Sequence, residues 1–146
     1  MVEESTETEA RPSKAGNPIS QQTNAKVRVL VADDYESMQQ AIVSCLGTLD
    51  ELEVVGTAFN GEDALAKSSF LKPDLVVADL QMPVMDGFRL LRALRKDYPS
   101  IRLIAISGHF SPMIEKEALS AGANHFISKV GLPGDLLAAV KQLLAQ

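Results

Sequence analysis

Tryptophan is absent from this sequence, cysteine occurs once and histidine twice. The single cysteine, Cys45, cannot close an internal disulfide, so nothing in the chain calls for an oxidising compartment. No apolar run is long enough to cross a bilayer, and the first residues lack the apolar segment of a secretory signal. A reducing cytoplasm is therefore the expected location, with no membrane contact. The net charge of −5 leaves no broad basic face with which this segment could grip nucleic acid directly. Arg89, Arg92, Arg95 and Lys96 do cluster, but at the spacing of a solvated helix face. Internal repeats are also missing. The 146 residues, 46% of them hydrophobic, fit one domain and an extension. Residues 1–26, MVEESTETEARPSKAGNPISQQTNAK, are rich in Glu, Ser, Thr, Pro and Asn without hydrophobic periodicity, and are expected to be disordered. Residues 27–146 form the domain.

Within that domain short apolar runs alternate with helical patterns five times. Val27, Val29, Leu30 and Val31 make the first strand, and Met38, Ala41, Ile42, Cys45, Leu46 and Leu49 give a helical stripe that places Cys45 in the core. Leu52 to Ala58 is the second strand. Asn60 caps the next helix, which carries Ala64, Leu65 and Leu71 and stops before Pro73. Leu75, Val76, Val77 and Ala78 then form an unbroken apolar run, as in a parallel strand covered on both faces, and Asp79 ends it. Asp86 caps a helix from Phe88 to about Lys96, and Tyr98-Pro99 breaks it. Ile101 to Ile106 is the fourth strand, ending on Ser107. Ser111 caps a helix with Pro112 at its first position, stopped at Gly122. His125 to Ser128 is the fifth strand, and Leu132-Pro133 opens a last helix burying Leu136, Leu137, Val140, Leu143 and Leu144. Near the fourth helix, one of Phe110 and Met113 is expected in the core and the other outside.

Strands alternating with helices imply a parallel sheet joined by right-handed crossovers, so all strands present their carboxyl ends to one edge. Asp33 and Asp34 follow the first strand, Asp79 the third, Ser107 the fourth and Lys129 the fifth. A lone aspartate after a strand is more often a helix cap than a ligand. Three together with an ammonium and a hydroxyl are different, because clustered like charges cost free energy that a cation or a chemical role must offset. The chemistry that fits is phosphoryl transfer to Asp79. Near its ordinary pKa of about 3.9 this carboxylate is ionised at neutral pH and can attack phosphorus. Carboxylates suit Mg²⁺, with Asp34 and Asp79 as direct ligands. Lys129, the cation and the Ser107 hydroxyl suffice to stabilise the moving charge, and no histidine is demanded.

These residues resemble the receiver domain of two-component response regulators. The likeness covers residues 27 to about 145 and is carried by the acidic pair Asp33-Asp34, the D-x-x-M-P-x-M-D-G run from Asp79, Ser107-Gly108, and Lys129. It implies an α/β, flavodoxin-like, doubly wound sheet of five parallel strands in the order 2-1-3-4-5, with five helices. It further implies an acyl phosphate formed on Asp79 from the phosphohistidine of a sensor kinase or phosphotransfer protein. Mg²⁺ would be held by Asp34, Asp79 and the Gln81 carbonyl, with Asp33 acting through water. By the same resemblance Phe126, three residues before Lys129, would be the aromatic that turns inward as Ser107 moves toward the phosphoryl group. Gln81 and His109 would flank the attacking water and tune loss of the phosphoryl group, with an exposed loop histidine as the other reading of His109. The wording DGFRLLRALR, the small Gly108 and AGANHFISK are similar to receivers that precede LuxR-type helix-turn-helix domains.

Departures from the family pattern carry information too. Receivers often have proline after the lysine, joined by a cis bond, whereas Val130 stands here and a cis bond without proline costs about 2.5–4 kcal/mol. The loop from Val130 to Gly134 is accordingly expected to be rearranged and mobile. No helix-turn-helix follows the last helix, so the chain reads either as a stand-alone receiver or as the regulatory part of a longer DNA-binding regulator. A degenerate receiver that never accepts phosphate is a further alternative. A phosphoaspartyl hydrolase of the haloacid dehalogenase type would need an acid two residues after Asp79, where Gln81 stands. Output is expected through the fourth helix, fifth strand and fifth helix, by self-association into a homodimer or by partner binding.

Overall fold

The computed structural model describes residues 25–146, so the expected extension lies outside the described residues apart from Ala25 and Lys26, which are exposed. Five strands, β1 (Val27–Ala32), β2 (Leu52–Ala58), β3 (Leu75–Asp79), β4 (Arg102–Ser107) and β5 (His125–Ser128), alternate with α1 (Glu36–Leu46), α2 (Gly61–Leu71), α3 (Gly87–Asp97), α4 (Pro112–Ala121) and α5 (Gly134–Leu144). All pairings are parallel, in the order β2-β1-β3-β4-β5. This is the flavodoxin-like order that the resemblance implies.

The apolar runs form strands because both faces of the sheet are covered. Alternate side chains go to opposite faces: Leu30, Ala32, Val76, Ala78, Leu103 and Ala105 pack with Ala64, Leu90, Leu91, Leu94 and Ala118 of α2, α3 and α4. The other set, including Val29, Val31, Val77, Ile104 and Ile106, packs with Ile42 and Leu46 of α1 and with Leu136, Val140 and Leu143 of α5. Register aligns the strand ends: Ala32 lies opposite Ala58 and Ala78, Asp79 opposite Ile106, and Ser107 opposite Ser128.

Helix starts follow the expected caps. Asn60 accepts from the Asp63 amide at 2.7 Å, Asp86 from Arg89 at 2.9 Å and Ser111 from Ile114 at 3.1 Å. Gly122, at φ +122°, terminates α4 in a conformation few residues with a Cβ adopt.

Several expectations fail here. Ala41 is exposed, and the buried stripe of α1 is Gln39, Ile42 and Leu46. Cys45 is half-buried at the margin of the core. Phe110, in the β4–α4 loop, and Met113, in the first turn of α4, are both exposed. Leu137 and Leu144 are only half-buried. Arg95 is no solvated charge: its guanidinium donates to the carbonyls of Pro99 (2.8 Å), Ile101 (2.7 Å) and Gly122 (2.7 Å) and to Asn124 Oδ1 (3.1 Å). By contrast, the bond between Lys129 and Val130 is not cis, in line with the missing proline: after β5 the chain makes a 3-10 turn, Lys129–Gly131, and the one cis peptide among the described residues is Leu132–Pro133.

Candidate functional site at the carboxyl edge of the sheet

The strand ends bring Asp33, Asp34 and Asp79 so close that one carboxylate oxygen from each lies within 4.8 Å of the others. Asp33 is fully buried and held at every polar group: its amide donates to the Ala58 carbonyl (3.0 Å), its Oδ1 accepts from the Tyr35 amide (2.9 Å), and its Oδ2 faces Lys129 Nζ at 3.1 Å. Lys129 also reaches Asp79 Oδ2 at 3.4 Å, so one ammonium spans two carboxylates. Asp79 Oδ1 accepts a long hydrogen bond, 3.3 Å, from the Gln81 amide. Apart from the ammonium, Asp33 Oδ2 has no donor, and the buried Asp34 Oδ1 has none at all.

Charge of one sign therefore exceeds what the protein neutralises. Burial, assisted by Asp33, pushes the Asp79 carboxyl up to about 6 against the opposing pull of Lys129 and the Gln81 amide. Asp79 is thus less acidic than its ordinary value suggests, yet about nine-tenths ionised at pH 7. For Lys129, burial favours the neutral amine, but hydrogen bonding and attraction to Asp33 and Asp79 outweigh it and raise its pKa.

Ser107 lies 1% exposed at the end of β4 and is engaged by its own loop. Its hydroxyl donates to the His109 carbonyl at 2.9 Å and accepts the His109 amide at 3.0 Å. Gly108, His109 and Gln81 line the same shallow depression as Asp34, Asp79 and Lys129, and Tyr35 and Met38 close its other side. Phe126 is half-buried, its ring 6.0 Å from that of Phe110 and inclined by 43°.

The loop after Asp79 is pinned at both ends. Gly87 donates to the Leu80 carbonyl at 3.0 Å and Gly61 to the Met85 carbonyl at 2.9 Å. Gly87 packs so tightly that a Cβ there would overlap the Asp79 carbonyl oxygen. Val84, at the exposed turn of this loop, has φ +69°.

Sequence reasoning missed Gln39. Its side-chain amide donates to the carbonyls of Asp33 (3.2 Å) and Ala58 (3.0 Å) from a position 1% exposed. The signal available was a polar residue in phase with Ile42 and Leu46 on a buried stripe.

A five-stranded parallel sheet with three carboxylates and a lysine at its carboxyl edge defines a class, and the chain belongs to the response regulator receiver domain family, whose model matches residues 29–141. It is thus a receiver domain of a two-component system, a signalling module rather than a conventional enzyme. Among curated proteins it is similar to the response regulator protein VraR of Staphylococcus epidermidis, 34% identical over 116 residues that make up 80% of this chain and 56% of VraR. The chain thus spans about half the length of the curated relatives it matches. Among solved structures it is similar to the signal receiver domain of NarL from Mycobacterium tuberculosis, with 33% identity, 83% of this chain and 98% of that one covered, and a TM-score of 0.77. It is also similar to a chain of the CheX–CheY–BeF3–Mg²⁺ complex from Borrelia burgdorferi, with 26% identity, 88% and 96% coverage and a TM-score of 0.80. No helix among the described residues is long and apolar enough to cross a membrane.

Proposed function

We propose that this domain accepts a phosphoryl group on Asp79 from the phosphohistidine of a sensor kinase or phosphotransfer protein, and that it needs Mg²⁺ to do so. The observation that carries the reading is the single ammonium of Lys129 shared between Asp33 and Asp79, beside carboxylate oxygens that lack donors. An all-oxygen donor set with residual negative charge fits a hard divalent cation. Asp33, Asp34, Asp79 and the Gln81 carbonyl would hold it, and when bound it supplies positive charge beside the transferring phosphoryl oxygens.

In the transfer, Asp79 Oδ attacks phosphorus, the P–O bond forms, and the P–N bond to the donor imidazole breaks with its electron pair left on nitrogen. Lys129 steadies charge on the moving oxygens. The Ser107 hydroxyl exchanges its His109 partners for a phosphoryl oxygen, and Phe126 follows it inward. Gln81 and His109, which both line the depression, control the approach of water to the acyl phosphate. The chain spans 56% of VraR and shares its fold with a DNA-binding response regulator of the LuxR family from Staphylococcus aureus, so we infer a second, compatible reading in which the domain regulates a DNA-binding segment of a longer protein.

The test uses acetyl phosphate and Mg²⁺ with intact-mass and peptide analysis. Wild type should gain one phosphoryl group on Asp79, chelation of Mg²⁺ should prevent it, and Gln81→Ala or His109→Ala should alter its half-life. Equal labelling of Asp79→Asn would remove the assignment. A protein that is never labelled would be a receiver acting by interaction alone.

A further inference from the structure

The peptide group between Asp33 and Asp34 joins two of the three rim carboxylates, and its orientation sets the angle between them. In this fold that peptide is not fixed by the strand ladder alone. Its carbonyl oxygen is the Asp33 acceptor of the Gln39 side-chain amide, 3.2 Å away, and the second hydrogen of the same NH2 group goes to the Ala58 carbonyl at 3.0 Å. Ala58 ends β2, and its carbonyl also receives the Asp33 amide at 3.0 Å. One buried side chain on the first turn of α1 therefore ties the end of β1, the end of β2 and the acidic loop into a closed set of hydrogen bonds. The Asp33 side chain is separately fixed by Tyr35 and Lys129, whereas Asp34 has no side-chain partner that would restrain it. What positions Asp34 is the backbone, and what positions that backbone is Gln39.

We propose that Gln39 is a positioning residue for the acidic rim: by clamping the Asp33–Asp34 peptide it sets the angle at which Asp34 meets Asp33 and Asp79, and through that the affinity for Mg²⁺. The metal part of this inference rests on the reading given under Proposed function; the clamp itself does not. Groups one shell removed from a metal commonly alter its binding by 10–100-fold when mutated, because they hold the ligands in the geometry that the ion requires.

The experiment compares wild type with Gln39→Met, a near isostere without donors, and with Ile42→Val, which trims the same buried stripe of α1 one turn away. Titration with Mg²⁺ alone, followed through the amide NMR signals of Asp33, Asp34 and Ala58, should give about 10-fold weaker binding in Gln39→Met and unchanged binding in Ile42→Val. Without metal, the Asp34 amide should lose order on the picosecond–nanosecond scale in Gln39→Met and keep it in Ile42→Val. In wild type, the Gln39 side-chain protons should exchange slowly and show couplings across hydrogen bonds to the Asp33 and Ala58 carbonyls, which needs no variant to fold. Unprotected Gln39 protons, an Asp34 amide equally ordered in both proteins, or equal Mg²⁺ affinity would each overturn the clamp. Failure of wild type to bind Mg²⁺ would strike the proposed function instead, leaving the metal-free measurements to decide on Gln39.

Discussion

At the scale of single residues, the rim is governed by the cost of burying carboxylates. Asp79 goes from an ordinary value of 3.8 when unfolded to about 6 in the fold, chiefly through loss of water. Between those two values the folded state holds the extra proton, so stability falls as pH rises from about 4 to about 6 and stays lowered above that. In a chelator-containing buffer, Asp79→Asn should therefore be more stable than wild type at pH 7 by on the order of 2–3 kcal/mol, and the difference should vanish near pH 4. Urea denaturation at the two pH values checks this, and a constant offset between the proteins would contradict it. The sequence disclosed which residues meet at the rim, since strand ends in a parallel sheet share an edge. It did not disclose the carboxyl's altered acidity, because desolvation depends on neighbours that only the folded chain assembles. Nor did it disclose Gln39, since hydrophobic periodicity scores Gln as polar and so assigns it to solvent.

Among the elements, the segment from Leu80 to Gly87 combines two opposed backbone demands. At Gly87 there is no room: a methyl group would meet the Asp79 carbonyl and the Leu80 backbone, neither of which can yield without shifting the rim. Gly87→Ala should cost about 1–3 kcal/mol. At Val84 the space is open but the backbone is left-handed, which costs a β-branched residue roughly 1–2 kcal/mol, partly offset on mutation to glycine by lost chain entropy. Val84→Gly should therefore be neutral or gain up to about 1 kcal/mol. Thermal melts of the two variants test the pair, and destabilisation by both alike would mean that the loop tolerates no change at all. Caps at Asn60, Asp86 and Ser111 were legible because each is a short polar side chain ahead of an apolar pattern. The role of Arg95 was not, since a guanidinium that satisfies four acceptors looks the same in sequence as one in water.

For the whole molecule, the question is how a change at Asp79 reaches a partner. Phe110, Met113 and Leu119 are exposed on the β4–α4 loop and α4, and Phe110 touches the Phe126 ring. A two-state domain can bias a partner only through contacts that differ between its states. Beryllofluoride with Mg²⁺ should therefore change self-association through the α4–β5–α5 face, read by light scattering and located by amide exchange. Ser107→Ala should still accept phosphate while losing that response; an unaltered face in wild type, or a full response in the variant, would exclude this route. The general architecture was open to sequence reading, whereas the exposure of both Phe110 and Met113 was not: Phe110 lies in a loop without periodicity, and the face of α4 that is buried is that of Ala118 and Ala121. Arg95 has a mechanical consequence here. It grips the Gly122 end of α4 at the edge far from the carboxylates, while the other end begins beside the turn held by Ser107 and His109. A helix of 10 residues is about 15 Å long, so a tilt of about 10° around that fixed end sweeps the free end through roughly 2.6 Å. If α4 moves as a unit, the Arg95 guanidinium at its Gly122 end makes that end the pivot and the Pro112 end the part that travels furthest.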